Sequence, residues 1–166
     1  MNIAIYGKKY NSDFFSGFSE LLKTLAENKV QVFIHRELHN QLPGEITTLA
    51  AAKVFENKED IEGKVDFLFS IGGDGTLLQS ALLVGSSGIP VLGINTGRLG
   101  FLSGVSQENM KQALQNIFEK KYSIEQRTLV IFINGTDYFG ENNFALNEIT
   151  VTKRHLQHDN HSYLGR

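Results

Sequence analysis

The stretch Val65-Asp66-Phe67-Leu68-Phe69-Ser70-Ile71-Gly72-Gly73-Asp74-Gly75-Thr76 decides how the rest of the chain is read. Its first seven residues are mostly apolar and too few for a buried helix, so they predict a central strand. Three glycines in the next four positions then break the strand, and a helix is expected over about 76–84. A hydrophobic strand that turns through glycine into a helix is the opening of a β-α unit in a parallel sheet. The same grammar recurs on both sides. Residues 2–6 predict a strand ended by Gly7. Phe14, Phe15, Phe18, Leu21, Leu22 and Leu25 follow at helical spacing, and Val30–Ile34 predicts a second strand. Residues 35–64 are mixed, with a Pro43-Gly44 turn and a short helix near 46–52. After the glycine turn come a strand at Ile89–Ile94, a glycine-rich loop from Asn95 to Gly104, and a helix capped by Ser106 with Met110, Ala113, Leu114, Ile117 and Phe118 on one face.

From Tyr122 the character changes. Thr128–Ile133 runs into Asn134-Gly135, a strong hairpin signal, and a further strand is expected around Phe144–Thr152. The fold class expected is α/β: a doubly wound, mostly parallel sheet, followed by the start of an antiparallel β-rich region. The organisation expected is an α/β nucleotide-binding domain over 1–122, the first strands of an incomplete β domain over 123–154, and a distinct tail over 155–166.

Composition narrows the function. Sixteen Lys and Arg against 18 Asp and Glu leave no basic excess, which argues against a nucleic-acid or anionic-membrane partner. The chain has no cysteine, so disulfides, thiolate metal sites and thiol nucleophiles are excluded. Met1–Tyr6 lacks a basic segment before an apolar one, and no apolar run approaches the ~18 residues of a membrane span. The cytoplasm is the simplest compartment.

In an open parallel sheet, ligands collect outside the carboxyl ends of the strands, where Gly72–Gly75 is placed. Glycines let backbone N–H groups approach a ligand, and the N-terminus of the following helix favours phosphates. Asp74 is the ionisable residue of that turn. It suits proton acceptance from a hydroxyl or oxygen ligation of a divalent cation, or else it caps the helix. Phe101, in the loop Asn95-Thr96-Gly97-Arg98-Leu99-Gly100-Phe101-Leu102, suits either a nucleobase face or a loop anchor. Asn147-Glu148, within Ala145–Thr150, fits ribose hydroxyls or an adenine edge, or else a solvated edge strand.

Taken together, GGDGT (72–76), NTGRLGF (95–101) and ALNEIT (145–150) resemble NAD kinases in order and separation. The resemblance covers roughly residues 1–154. GGDGT alone is shared with phosphofructokinases and diacylglycerol kinases, but in lipid kinases an Asn-Glu pair follows it almost directly, where Leu78-Gln79 stands here. The resemblance implies ATP-dependent phosphorylation of NAD at the 2′-hydroxyl of its adenosine ribose, giving NADP. It implies Asp74 as general base, with Gly72, Gly73, Asp74, Gly75, Thr76, Asn95, Phe101, Asn147 and Glu148 binding NAD or ATP. It further implies Mg²⁺ or another divalent cation acting with ATP, and homo-oligomeric full-length relatives. No Walker A pattern is present, so the triphosphate would rest on glycine backbone and on Arg or Lys from elsewhere. Many relatives carry a basic residue where this chain has Gln79.

The competing readings are another GGDGT kinase, acting on a lipid or a sugar phosphate, and a nucleotide-binding fragment without turnover. Relatives continue into a larger β-rich domain, and the expectation is that this chain is truncated, with little or no activity alone and apolar strand surface left uncovered. Relatives read Lys-Arg-Asp-Ser/Thr-Ser-Ser-Met where the match stops at Lys153-Arg154. Shifting the frame at Arg154 permits Asp-Thr-Ser-Ser-Met-Ile-Thr, so a frameshift is expected from His155. On that reading His155, His158 and His161, with Asp159, are an accidental cluster and no metal site is assigned.

Overall fold

A computed structural model describes residues 1–8, 15–49, 51–97, 100, 102, 104–131 and 144–146. In chain order its elements are β1 (Asn2–Tyr6), α1 (Phe15–Glu27), β2 (Gln31–His35), α2 (Arg36–His39), α3 (Gly44–Leu49), β3 (Lys53–Phe55), α4 (Lys58–Ile61), β4 (Phe67–Ile71), α5 (Asp74–Val84), β5 (Val91–Asn95), β6 (Val105–Ser106), a 3₁₀ turn (Gln107–Asn109), α6 (Met110–Phe118), β7 (Val130–Ile131) and β8 (Phe144–Ala145). The first six strands form one sheet in the order β3-β2-β1-β4-β5-β6, every pair parallel. β7 and β8 form a separate antiparallel pair. The α/β class expected from the strand-helix alternation is the one observed.

All of β4 is buried, as are four of the five residues of β1, which explains why both lack polar-apolar alternation. Both faces of the sheet are covered. On one, Ile3, Ile5, Val32, Ile34, Phe67, Phe69 and Ile94 pack with Phe18, Leu21, Leu22 and Leu25 of α1 and Met110, Leu114 and Ile117 of α6. On the other, Ala4, Tyr6, Phe33 and Leu68 pack with Ile61 of α4, Val84 of α5 and Ile89. The four α1 residues are essentially inaccessible, and burying each leucine contributes about 1.5–3 kcal/mol. The chain runs outward from β1 through β2 to β3, then crosses back to set β4 against β1. The reversal of direction therefore falls between β1 and β4, and open α/β sheets bind ligands beyond the carboxyl ends of the strands at such a point.

Several boundaries differ from expectation. α5 starts at Asp74 rather than 76, because Thr76 and Leu77 both donate to the Gly73 carbonyl and draw Asp74 into the first turn. Ser106 precedes the 3₁₀ turn and makes no side-chain cap, and α6 begins after Asn109. The mixed stretch 35–64 holds a strand, β3, and the short helix α4. Ile131 pairs with Phe144, whereas a two-residue Asn134-Gly135 loop would set it opposite Tyr138. The expected tight turn at Asn134-Gly135 lies outside the described residues, as do most of the strand expected to 152 and the tail. Among the described residues no helix is long and apolar enough to cross a membrane.

α4 is fastened by a reciprocal cap. Asn57 Oδ1 accepts from the Asp60 amide at 3.2 Å, and Asp60 Oδ2 accepts from the amides of Glu56 at 2.9 Å and Asn57 at 3.3 Å. The Glu56 amide, then the Asn57 amide, hold the Asp60 carboxyl below its ordinary value, with smaller help from Lys64 and Arg36. A carboxyl depressed on folding adds stability above its unfolded pKa of about 4, and that contribution is lost as pH falls through the folded value. Asp60→Asn is therefore expected to lower the urea midpoint at pH 6, with the difference from wild type shrinking toward pH 3. A difference independent of pH would show that the Asp60 charge is irrelevant.

Candidate functional site

The carboxyl ends of β4 and β5 bring the two glycine loops together. Gly72 leaves β4 with φ +152°, and a Cβ there would stand 2.8 Å from Thr76 Cβ, so both backbone and packing demand glycine. Its amide donates to the Ile94 carbonyl at 3.0 Å, tying the first loop to the end of β5. Gly73 is the N-cap of α5, without any side-chain cap. The helix-capping alternative for Asp74 is thereby overturned, since Asp74 already lies inside the helix. Its carboxylate instead reaches across to the second loop, where Oδ1 accepts from the Leu102 amide at 3.2 Å. At Gly100 an added Cβ would lie 2.5 Å from both Asp74 Cγ and Oδ2, so the second loop passes directly against the carboxylate.

Gly73 and Gly75 contrast with these positions. Both are exposed, neither has positive φ, and a Cβ on either would meet nothing within 4 Å. Packing among the described residues does not require glycine there. Asn95, only 3% exposed, ends β5 and accepts the Gly97 amide on Oδ1 at 2.8 Å, an Asx turn that starts the second loop. The structure thus gathers Gly72, Gly73, Asp74, Gly75, Thr76 and Asn95 at the carboxyl ends of β4 and β5. Phe101, Asn147 and Glu148 lie outside the described residues.

Residue-by-residue reading missed a polar row beneath α5. Register sets Tyr6 opposite Ser70 and Ser70 opposite Gly93, and His35 follows Ile34 on the far side of Tyr6. The Tyr6 and His35 rings meet edge-on with centroids 4.8 Å apart. The Tyr6 hydroxyl donates to Gln79 Oε1 at 3.4 Å, so Gln79 meets a phenol. Burial, and then the Glu37 charge, push the Tyr6 hydroxyl pKa up. His35 Nε2 lies 3.2 Å from the Glu56 carbonyl oxygen, which can only accept, so the proton is assigned to Nε2. His35 Nδ1 and Ser70 Oγ are buried without partners among the described residues. The signal that could have revealed this row is a polar side chain at or beside the carboxyl end of each of three apolar strands, Tyr6 in β1, His35 in β2 and Ser70 in β4.

Arg36, at the same end of the sheet, pairs with Glu56 on the surface. Among the described residues no three His, Cys, Asp or Glu side chains cluster to hold a metal. A cavity of about 400 Å³ lies between α1 and α6, lined by Gly17, Glu20, Thr24, Gln107 and Lys111 among others. None of the candidate residues among those described lines it, so the carboxyl ends of β4 and β5, and not this cavity, are the candidate site.

Residues 3–122 match the family described as the ATP-NAD kinase N-terminal domain. The chain belongs to the NAD kinase family. It is 38% identical over 156 residues to the NAD kinase of Flavobacterium psychrophilum, covering 93% of this chain and 53% of that protein. To the NAD kinase of Bacteroides fragilis it is 35% identical over 154 residues, with 93% and 52% covered. The chain thus spans about half the length of the curated NAD kinases it matches. Among solved structures, yeast NADH kinase complexed with NADH aligns with a TM-score of 0.61 at 20% identity, over 77% of this chain and 40% of that one. That likeness supports the fold.

Proposed function

We propose that the protein this chain represents phosphorylates NAD at the 2′-hydroxyl of the adenosine ribose, with ATP as donor, to give NADP. The observation that carries this reading is the setting of Asp74: a carboxylate in the first turn of α5, beside the β1/β4 reversal, fixed against the second loop. Asp74 takes the proton of the attacking hydroxyl while the ribose oxygen bonds to the γ-phosphorus and the bond to the ADP oxygen breaks. A divalent cation such as Mg²⁺, when bound with ATP, neutralises charge on the transferring phosphate. Gly73 and Gly75, whose Cα atoms face open space, allow close approach of a nucleotide backbone. Gly72, Thr76 and Asn95 shape the two loops, while Phe101, Asn147 and Glu148 are assigned to the NAD pocket on the family pattern alone. In the same reading residues 1–122 form the nucleotide-binding domain, 123–154 begin the β domain, and the protein is cytoplasmic.

The test joins residues 1–154 to the second half of the Flavobacterium psychrophilum relative and offers the purified chimera ATP with NAD, a diacylglycerol or fructose 6-phosphate. NADP is the expected product. Phosphorylation of the lipid or sugar in its place would defeat the reading.

A further inference from the structure

We propose that Asp74 also acts as a clasp that closes the second glycine loop onto the first, with Gly100 and the Leu102 amide as positioning groups. The second loop leaves the sheet at Asn95 and rejoins it at Val105, on a strand that pairs directly with β5. Both ends are therefore fixed: the Asx turn of Asn95 sets the departure, and the Asn95–Ser106 pairing sets the return. Between those ends the loop meets the first loop at Asp74, through Leu102 N–H to Oδ1 at 3.2 Å, across 28 residues of chain. Gly100 makes the approach possible, because a Cβ there would stand 2.5 Å from the carboxylate carbon. Gly97, in the same loop, has no described atom within 4 Å of its own added Cβ. The two glycines therefore serve different purposes: one admits the clasp, and the other is free of it. Proton acceptance and loop closure make separable demands on the side chain. The first needs a carboxylate, the second only an oxygen acceptor at Oδ1.

This deepens the proposed function, yet its primary readout needs neither nucleotide nor turnover. Hydrogen exchange at the Leu102 amide is measured by NMR on the 166-residue chain carrying Asp74→Asn, Asp74→Ala, Gly100→Ala or Gly97→Ala. Asparagine keeps the acceptor and is expected to preserve protection. Losing a hydrogen bond to a charged group should speed exchange roughly 10- to 100-fold in Asp74→Ala, with a similar change in Gly100→Ala. Gly97→Ala should match wild type. Unchanged Leu102 exchange in Asp74→Ala overturns the clasp, as does equal loss in Gly97→Ala and Gly100→Ala. Should Gly100→Ala fail to fold, the Asp74→Asn and Asp74→Ala pair still decides. Titration with NAD is the second readout, with affinity expected to fall in the order of exchange. Exchange that follows the expected pattern, together with a chimera that phosphorylates the lipid or the sugar in place of NAD, supports the clasp and counts against the NAD reading, so the two failures are distinct.

Discussion

Asp74→Asn in the chimera is expected to lower kcat for NADP formation by roughly 10²- to 10⁴-fold, the span ascribed to a positioned general base. The substitution is nearly isosteric. Its Oδ1 can still accept the Leu102 amide that wild-type Asp74 holds at 3.2 Å, so the loops should stay closed. What is lost is the ability to take a proton from the ribose hydroxyl. KM for NAD should therefore stay within about threefold of wild type, the signature of an interaction made in the transition state rather than on binding. Asp74→Ala should raise KM as well, because it removes base and clasp together. Turnover by Asp74→Asn within a few-fold of wild type would remove Asp74 as the base.

Phe69→Ala is expected to destabilise the fold by about 3–5 kcal/mol. Phe69 is fully buried in β4, facing Ile5 of β1 across one register and Leu92 of β5 across the other. Its ring lies 6.5 Å from that of Phe67, on the same face of the sheet. Neither strand can move into the space left behind, because each is held by backbone hydrogen bonds on both sides. Against a typical stability of about 5–15 kcal/mol, that loss is a large fraction of the whole. Urea unfolding would measure it, and a loss under about 1 kcal/mol would mean that the core collapses around the void far more readily than cores usually do. Because β4 carries Gly72 to Asp74 at its end, the same change should loosen the site.

The strands that bury both faces were legible because burial leaves no reason for polar alternation, as in Phe67–Ile71 and Ile3–Tyr6. Helix α1 was legible because Phe18, Leu21, Leu22 and Leu25 all point one way. β3 was not, since a three-residue edge strand with exposed Lys53 and Val54 buries only Phe55 and carries little pattern. α4 had a signal that went unread, namely Asn57 three residues before Asp60. At the site, glycine spacing located Asp74, but its partner could not be read. Leu102 lies 28 residues away, and the two meet only because β4 and β5 are neighbours. The Tyr6–Gln79 contact, 73 residues apart, is hidden for the same reason. Phe101, Asn147 and Glu148 rest on motif resemblance, with no periodicity to aid them.

The return of the chain to β1 also bears on how the molecule is made. Ile5 pairs with Ile34, 29 residues later, but its other neighbour, Phe69, comes 64 residues later. At translation rates of about 5–20 residues per second, β1 waits roughly 3–13 s for β4 to follow it from the ribosome. Through that interval the strand destined for the middle of the sheet is an outer one, with a row of unsatisfied amides and carbonyls along Ile3–Tyr6. The nascent β3-β2-β1 half-sheet is thus most vulnerable to pairing with another chain before the glycine turn has been synthesised, and the arrival of β4 closes that window.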